Sequence, residues 1–215
     1  MSWILIVEQS LNGLQFGLML FLLAAGLTLV FGIMDMINLA HGSLYMLGAF
    51  LAATLVQATG SFAAGVLLAI PATALLGMLV RAGASNREMA LAMGVNIRRL
   101  FTLLFGVGAG LCAVAGALLG PLFAVQVGMG ENILILAFVV IVIGGIGSIR
   151  GALVGSLLVG VVDTIGRAFL PLLFGIFFQP RVASAAGPAI ASVLVYLLMA
   201  VVLYIKPQGL FPARG

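Results

Sequence analysis

The sequence has very few charged side chains. Only 7% of its 215 residues are Asp, Glu, Lys or Arg, whereas 64% are hydrophobic. A soluble domain has roughly 25% charged and 45–50% apolar residues, so this composition excludes a water-soluble globular protein and indicates a lipid bilayer as the solvent. The nine cationic residues are too few for a nucleic-acid surface, and we expect them to set membrane topology instead.

Several chemical motifs are also missing. Cys112 is the only cysteine, which excludes a disulfide within the chain and a metal site built on cysteines. No GxxxxGK[ST] loop is present, so we expect no ATP hydrolysis by this chain. The sole histidine, His41, has no apparent serine and acid partners. We therefore predict that the chain is not an enzyme and holds no cofactor or metal. A basic leader is also absent, so we expect no removable signal peptide.

Long uncharged stretches fill the space between the charges. Many approach the roughly 20 residues that a spanning helix needs, and backbone groups in lipid must be paired within their own segment. The alternating pattern of a membrane β-barrel is absent. We predict an all-α, polytopic transmembrane helix bundle that forms a single domain over residues 1–215. Its seven hydrophobic segments are Leu11–Met34, Ser43–Gln57, Phe62–Val80, Leu100–Gly120, Asn132–Gly147, Ala152–Phe178 and Gly187–Ile205.

The basic residues predict the orientation. No Lys or Arg precedes Arg81, and residues 81–99 then hold four arginines against the single acid Glu88. Lys206 and Arg214 follow the last segment. Because cytoplasmic loops are enriched in Lys and Arg, both regions should be cytoplasmic. Four segments separate them, an even number, so the two assignments agree and place the N-terminus outside.

Glycines recur four residues apart, the spacing at which helix backbones can approach each other in lipid. We expect these rows to lie at helix–helix contacts. The rows are Gly13/Gly17, Gly106/Gly110, Gly116/Gly120 and Gly147/Gly151/Gly155.

The run DMINLAHGSLYMLG, residues 35–48, lies between the first two apolar stretches. The apolar piece that follows is only about 15 residues long, which is short for a span and typical of a broken or re-entrant helix. Asp35, Asn38 and His41 would share one face of a helix, and polar groups in the membrane usually face a pathway. An ordinary cytoplasmic turn with an Asp or Asn cap explains the same spacing, and the spacing leaves both interpretations open.

Two further features have two interpretations each. The polar loop 81–99 suits docking to a partner through a short helix, or it is a solvated loop that only fixes topology. Asp163 and Arg167 are four residues apart in the sixth segment. We predict that they form an intramembrane charge pair, which would either line a pathway or fix helix packing.

Four stretches resemble the high-affinity inner-membrane permeases of bacterial branched-chain amino acid ABC importers, in the same order along nearly the whole chain. LNGLQFGLMLFLLAAGLTLVFGIMDMINLAHGSLYMLGAF is similar to the opening of that family, and SNREMALAMGVNIRRL to its cytoplasmic coupling loop. VIVIGGIGSIRGALVGSLLVGVVD and YIKPQGLF resemble its glycine-rich late segment and its C-terminal end.

The resemblance implies a permease subunit that moves branched-chain amino acids across the bacterial inner membrane. Its implied partners are a second permease subunit, two cytoplasmic ATP-binding subunits and a periplasmic amino acid-binding protein. The loop 81–99 would couple to the ATPases, and residues 38–43 would line or support the pathway. The implied coupling residues are Arg87, Glu88, Ala90, Gly94, Arg98 and Arg99. The implied pathway residues are Asp35, Asn38, His41, Gly42 and Ser43.

Two other functions remain open at this point. A proton-coupled secondary carrier would need ionisable groups deep in several spans, and Asp163 is the one good candidate. A structural or assembly subunit without transport activity is the second alternative.

The chain also departs from the family in length. Members have more membrane-spanning material before the coupling loop, whereas here Gly77–Val80 runs straight into Arg81. We predict an internal deletion of two spans at the 80/81 junction. Losing a pair of spans preserves the topology, which is why the two cytoplasmic assignments still agree with each other.

Overall fold

Seven α-helices make up most of the computed structural model, which describes residues 3–34, 39–84 and 97–212. No β-strand occurs within these residues. Each predicted hydrophobic segment lies within or overlaps one helix, so the predicted all-α fold is confirmed. The helices are α1 Trp3–Met34, α2 Ala40–Thr59, α3 Phe62–Ala84, α4 Ile97–Phe123, α5 Met129–Gly144, α6 Ile149–Phe174 and α7 Pro180–Ile205.

Six of these helices are long and apolar enough to cross a membrane. The exception is α5, whose 16 residues reach only about 24 Å at 1.5 Å per residue, against about 30 Å of hydrocarbon. The predicted polytopic membrane bundle is therefore confirmed.

Local sequence signals set several helix ends. Gly60 ends α2 with φ 67°, a left-handed conformation that glycine adopts without strain, and its N–H donates to the carbonyl of Val56 at 2.9 Å. The Ser148 hydroxyl caps α6 by accepting a hydrogen bond from the Gly151 N–H at 3.0 Å. Pro180 begins α7, a position where its missing N–H has no helical partner to lose.

The second helix is longer than the sequence pattern predicted. It has 20 residues rather than about 15, and it runs without interruption for about 30 Å. The hydropathy pattern placed the start too late because polar His41 interrupts it, whereas the folded helix buries His41 completely. A break before α2 would fall at residues 35–38, which lie outside the described residues.

The chain divides into two compact units, Met1–Ala24 with Leu136–Gly215, and Ala25–Ile135. The boundaries fall inside α1 and α5, so each of these helices contributes to both units. The single permease domain inferred from the sequence stays a prediction.

Small residues bring α2, α3 and α4 together in the unit 25–135. A Cβ on Gly48 would lie 2.5 Å from the Cα of Ala113, and one on Gly77 would lie 2.6 Å from the Cβ of Ala109. Such distances leave no room for a side chain, so these glycines permit close helix crossings. Gly110 was predicted to do the same, but its Cβ would meet only side chains at 3.8–4.0 Å. Gly110 thus lies at a helix contact, against Ile70 and Ala74 of α3, but not at a close backbone crossing.

Glycine contacts also organise the other unit. Gly17 of α1 and Gly160 of α6 approach so closely that a Cβ on either would strike the backbone of the opposite helix. Gly144 and Gly151 do the same where α5 meets α6. Gly13 also packs on α6, so the predicted role of the Gly13/Gly17 row in helix packing is confirmed.

The chain after α7 folds back onto the end of α5. The N–H groups of Leu210 and Phe211 donate to the carbonyls of Ile143 and Gly144 at 2.9 and 2.8 Å. Gly145 and Gly209, with φ 106° and 83°, lie against each other at this junction. The tail thereby caps α5 carbonyls that lack a partner within the helix. We call residues 206–211 the tail clip.

Candidate functional site

The predicted pathway segment is only partly described. Asp35 and Asn38 lie outside the described residues. His41 and Gly42 are buried in the first turn of α2, and Ser43 is exposed. Ser43 therefore differs in exposure from the two buried residues, although all three belong to the same predicted segment.

His41 pairs with Cys112 of α4. The imidazole Nε2 and the thiol Sγ are 2.9 Å apart, and both residues are fully buried. Gly26 of α1 makes room for the ring, since a Cβ there would lie 3.2 Å from the His41 Nε2. Cys112 was not assigned to a site from the sequence, although a lone thiol in the middle of an apolar segment was the available signal. Among the described residues, no group of three His, Cys, Asp or Glu side chains is placed to hold a metal ion.

The first turn of α2 lies opposite the middle of α4. The two helices run in the same direction, because His41 contacts Cys112 while Ala49, further along α2, lies near Gly120. Cys112 is about 22 Å from the start of α4 and about 17 Å from its end, at 1.5 Å per residue. If α4 spans the bilayer, α2 begins near mid-depth.

Helix α5 begins next to the first turn of α2. A Cβ on Gly42 would strike the carbonyl of Gly130, and a Cβ on Gly130 would strike the carbonyl of Gly42. Both glycines lie in the first turn of their helices. Gly130 was not identified from the sequence, because this contact joins positions 88 residues apart and leaves no local signal.

Two helix N-termini thus meet inside the unit 25–135. The first four N–H groups of a helix have no partner within it, and the helix dipole makes this end positive. Anions bind readily at such ends. In transporters, broken helices place such ends at the depth where substrate binds.

The predicted charge pair occurs in the other unit. Arg167 Nε donates to Asp163 Oδ2 at 2.8 Å, and Arg167 Nη2 donates to the Ser192 hydroxyl of α7 at 3.1 Å. Asp163 is buried, whereas 45% of the Arg167 side chain is exposed. Asp163 Oδ1 is buried without a hydrogen-bond partner. Ser192 was not identified from the sequence, because a single serine in an apolar helix gives no distinctive signal.

Most of the predicted coupling residues lie outside the described residues. Arg87, Glu88, Ala90 and Gly94 are among these. Arg98 and Arg99 belong to the first turn of α4, and Arg99 is exposed.

Comparison with known proteins gives a consistent result. The family model for the permease component of branched-chain amino acid transport systems matches residues 9–82 and 76–203. No solved structure matches the chain.

Individual relatives differ in the share of each chain that aligns. The high-affinity branched-chain amino acid transport permease BraD of Pseudomonas aeruginosa is 26% identical in an alignment of 307 positions that covers 95% of each chain. LivH of Salmonella typhimurium is 41% identical over 96 residues, 44% of this chain and 31% of the relative. A probable LivH of Methanocaldococcus jannaschii is 26% identical over 134 residues, 62% of this chain and 40% of the relative.

The family match covers well over half of the sequence and includes α1 through most of α7. The chain therefore belongs to the family of permease components of branched-chain amino acid transport systems.

Proposed function

We propose that this chain is a permease subunit of an ATP-driven importer that moves branched-chain amino acids across the bacterial inner membrane. The observation that carries the proposal is the family match over residues 9–203, which coincides with six helices long enough to cross the bilayer. Its proposed partners are a second permease subunit, two cytoplasmic ATP-binding subunits and a periplasmic amino acid-binding protein.

The pathway is proposed to pass the first turn of α2. The buried His41–Cys112 pair and the Gly42–Gly130 contact support this assignment, because both lie opposite the middle of α4. Substrate sites in transporters typically lie near the bilayer midplane, at the ends of discontinuous helices. Asp35, Asn38 and Ser43 belong to the same proposed pathway segment.

The loop 81–99 is proposed to couple the permease to the ATPases. It joins α3 and α4, which pack directly against each other and against α2. A displacement of the loop by ATP binding would therefore reach the proposed pathway through packed helices, as in a two-state gate. The proposed orientation places this loop and the C-terminus in the cytoplasm and the N-terminus outside.

The orientation is directly testable because the natural cysteine is buried. Cys112 is fully buried, so the cysteine introduced by Arg87→Cys becomes the one accessible thiol among the described residues and this loop. We expect a membrane-impermeant maleimide to label it in inverted vesicles and not in intact spheroplasts. Labelling from the periplasmic side would overturn the orientation.

An internal deletion at the 80/81 junction is proposed to explain the chain length. The BraD alignment has 307 positions, whereas 95% of 215 residues is about 204, so about 103 positions have no residue from this chain. The two family matches, 9–82 and 76–203, also meet at this junction. Sequencing the gene across the codons for Val80 and Arg81 tests the deletion. An intact, longer reading frame there would contradict a deletion in the natural gene.

Reconstituted uptake tests the main proposal. The purified permease–ATPase complex in proteoliposomes, with its binding protein outside, should accumulate labelled leucine when ATP is present inside. Glu88→Gln should reduce both this uptake and co-purification with the ATPases. Glu8→Gln makes the same change at an exposed site in α1 and should leave both unchanged. Equal behaviour of the two variants would refute the coupling role.

The same preparation separates the two alternatives. Uptake that needs a proton gradient and no ATP would identify a secondary carrier. Normal assembly with the ATPases but no uptake under any gradient would identify a structural subunit.

A further inference from the structure

The bridge between Asp163, Arg167 and Ser192 lies halfway along two membrane-spanning helices. Asp163 is about 21 Å from the start of α6 and about 17 Å from its end, at 1.5 Å per residue. Ser192 is about 18 Å from the start of α7 and about 20 Å from its end. The hydrogen bonds to both residues hold the guanidinium at this level. It is therefore placed near the bilayer midplane.

Contact with lipid would be unfavourable for this guanidinium. Almost half of the Arg167 side chain is exposed, and an exposed charge in hydrocarbon is costly. A long side chain near a helix end can reach back to the polar interface. Here the bond from Nε to Asp163 points the group toward the start of α6 and holds it at mid-depth. The exposed side of Arg167 therefore faces a polar ligand, a water-filled path or another protein chain.

The charges favour a ligand that is neutral overall but carries both signs. Asp163 and Arg167 already neutralise each other. An acidic side chain of another subunit would add an uncompensated negative charge at mid-membrane, which is unfavourable. An amino acid zwitterion adds none. Arginine has five N–H donors in a geometry that matches carboxylates, and the two bonds to Asp163 and Ser192 use two of them.

Asp163 supplies the matching acceptor. Its Oδ1 is buried and has no hydrogen-bond partner, which is an unfavourable state for a carboxylate oxygen. An ammonium group is a donor of the right charge for it. Because Oδ1 is buried, the side chains that cover it must move before a ligand can reach it.

We propose that Asp163 and Arg167 bind the zwitterionic head group of an amino acid on its way through the membrane. Arg167 contacts the α-carboxylate, Asp163 Oδ1 accepts from the α-ammonium, and Ser192 orients the guanidinium. This inference rests on the proposed transport function and adds a second position at which its substrate is bound, besides the proposed pathway segment at the start of α2.

Equilibrium binding of labelled leucine tests the site. The preparation is the whole permease–ATPase complex in nanodiscs without the binding protein, so that binding to the membrane subunits alone is measured. We expect 4-methylpentanoate, which lacks the ammonium, and leucinamide, which lacks the carboxylate, each to compete at least about tenfold more weakly than leucine, since each loses one charge-assisted contact.

Substitutions separate binding from a purely structural role. Arg167→Gln alone leaves Asp163 buried and unpaired, and this destabilises the fold whatever the function. The double variant D163N/R167Q restores a neutral hydrogen-bonded pair. We expect it to recover assembly and thermal stability while leucine affinity stays reduced by at least about tenfold. Arg181→Gln, at an exposed position in the first turn of α7, removes the same charge and should bind leucine normally.

The outcomes distinguish this site from the transport function. If the double variant assembles and binds leucine like the unmodified complex, the pair is structural and the inference is refuted while transport stands. If Arg167→Gln prevents association with the second permease subunit and the analogues compete as well as leucine, the exposed guanidinium belongs to a subunit interface, which also refutes it. If the unmodified complex neither binds nor imports leucine, the transport proposal itself fails.

Discussion

The contact between Gly42 and Gly130 makes a quantitative prediction about stability. Gly42→Ala places a methyl group against the backbone of α5, which cannot move aside like a flexible side chain. Overpacking of this kind costs about 1–3 kcal/mol, and alanine recovers about 0.5–1 kcal/mol relative to glycine within a helix. The net loss is about 1 kcal/mol at the middle of both ranges and at most about 2.5 kcal/mol, which corresponds to about 2–4 °C and at most about 10 °C in Tm for a chain of this size.

The sole cysteine provides the assay. Cys112 is fully buried, so a maleimide dye that fluoresces on reaction reports unfolding of the helices around it. Gly110→Ala is the matched control, because it is also a helical glycine but its Cβ would meet nothing closer than 3.8 Å. It should leave Tm unchanged or raise it by up to about 4 °C. Equal shifts for the two variants would show that the close crossing of α2 and α5 is not present.

Three further predictions concern single contacts. Cys112→Ala should lower stability by about 1 kcal/mol, because it removes the thiol that contacts the His41 Nε2. The change is measured by following helical circular dichroism during heating, and an unchanged midpoint would contradict the contact. Gly209→Ala should destabilise more than Gly128→Ala: both glycines have positive φ, but only the Gly209 Cβ would strike backbone, 2.5 Å from Gly145. Comparable midpoints would argue against the tail clip. Ser148→Ala should cost about 1 kcal/mol by removing the cap of α6, whereas Ser184→Ala, at an exposed position in α7, should cost less.

Hydropathy predicted the helices well because lipid allows few alternatives. A run of uncharged residues in the bilayer must satisfy its backbone internally, which makes the segment helical. The errors came at polar residues inside helices. His41 delayed the predicted start of α2 because hydropathy cannot show that a distant thiol, 71 residues away, offers it a partner.

Glycine spacing was a less reliable guide than hydropathy. Gly13 and Gly17 lie at a close backbone crossing, whereas Gly110 contacts only side chains of α3. A row of small residues shows that a close approach is possible, but the partner surface decides whether it occurs. The Gly42–Gly130 contact lacks the row pattern altogether, because each helix contributes a single glycine from its first turn.

The charge pair was accessible to sequence reasoning because it is local. Residues four apart share a helix face, which brought Asp163 and Arg167 together without knowledge of the fold. The bond to Ser192 on α7 depends on tertiary packing. The position of the bridge halfway along both helices follows only from the observed helix bounds, and that position is the basis for the role proposed for Arg167.

The tail clip has a consequence for how the protein is made. Its hydrogen bonds join Leu210 and Phe211 to carbonyls of α5 that were synthesised 67 residues earlier. Because α6 and α7 lie between the two ends of these bonds, both must be synthesised before the carbonyls receive their partners. Until then these two carbonyls lack the donors that the tail clip supplies, so the junction between α5 and α6 is completed only after residues 210 and 211 have been made.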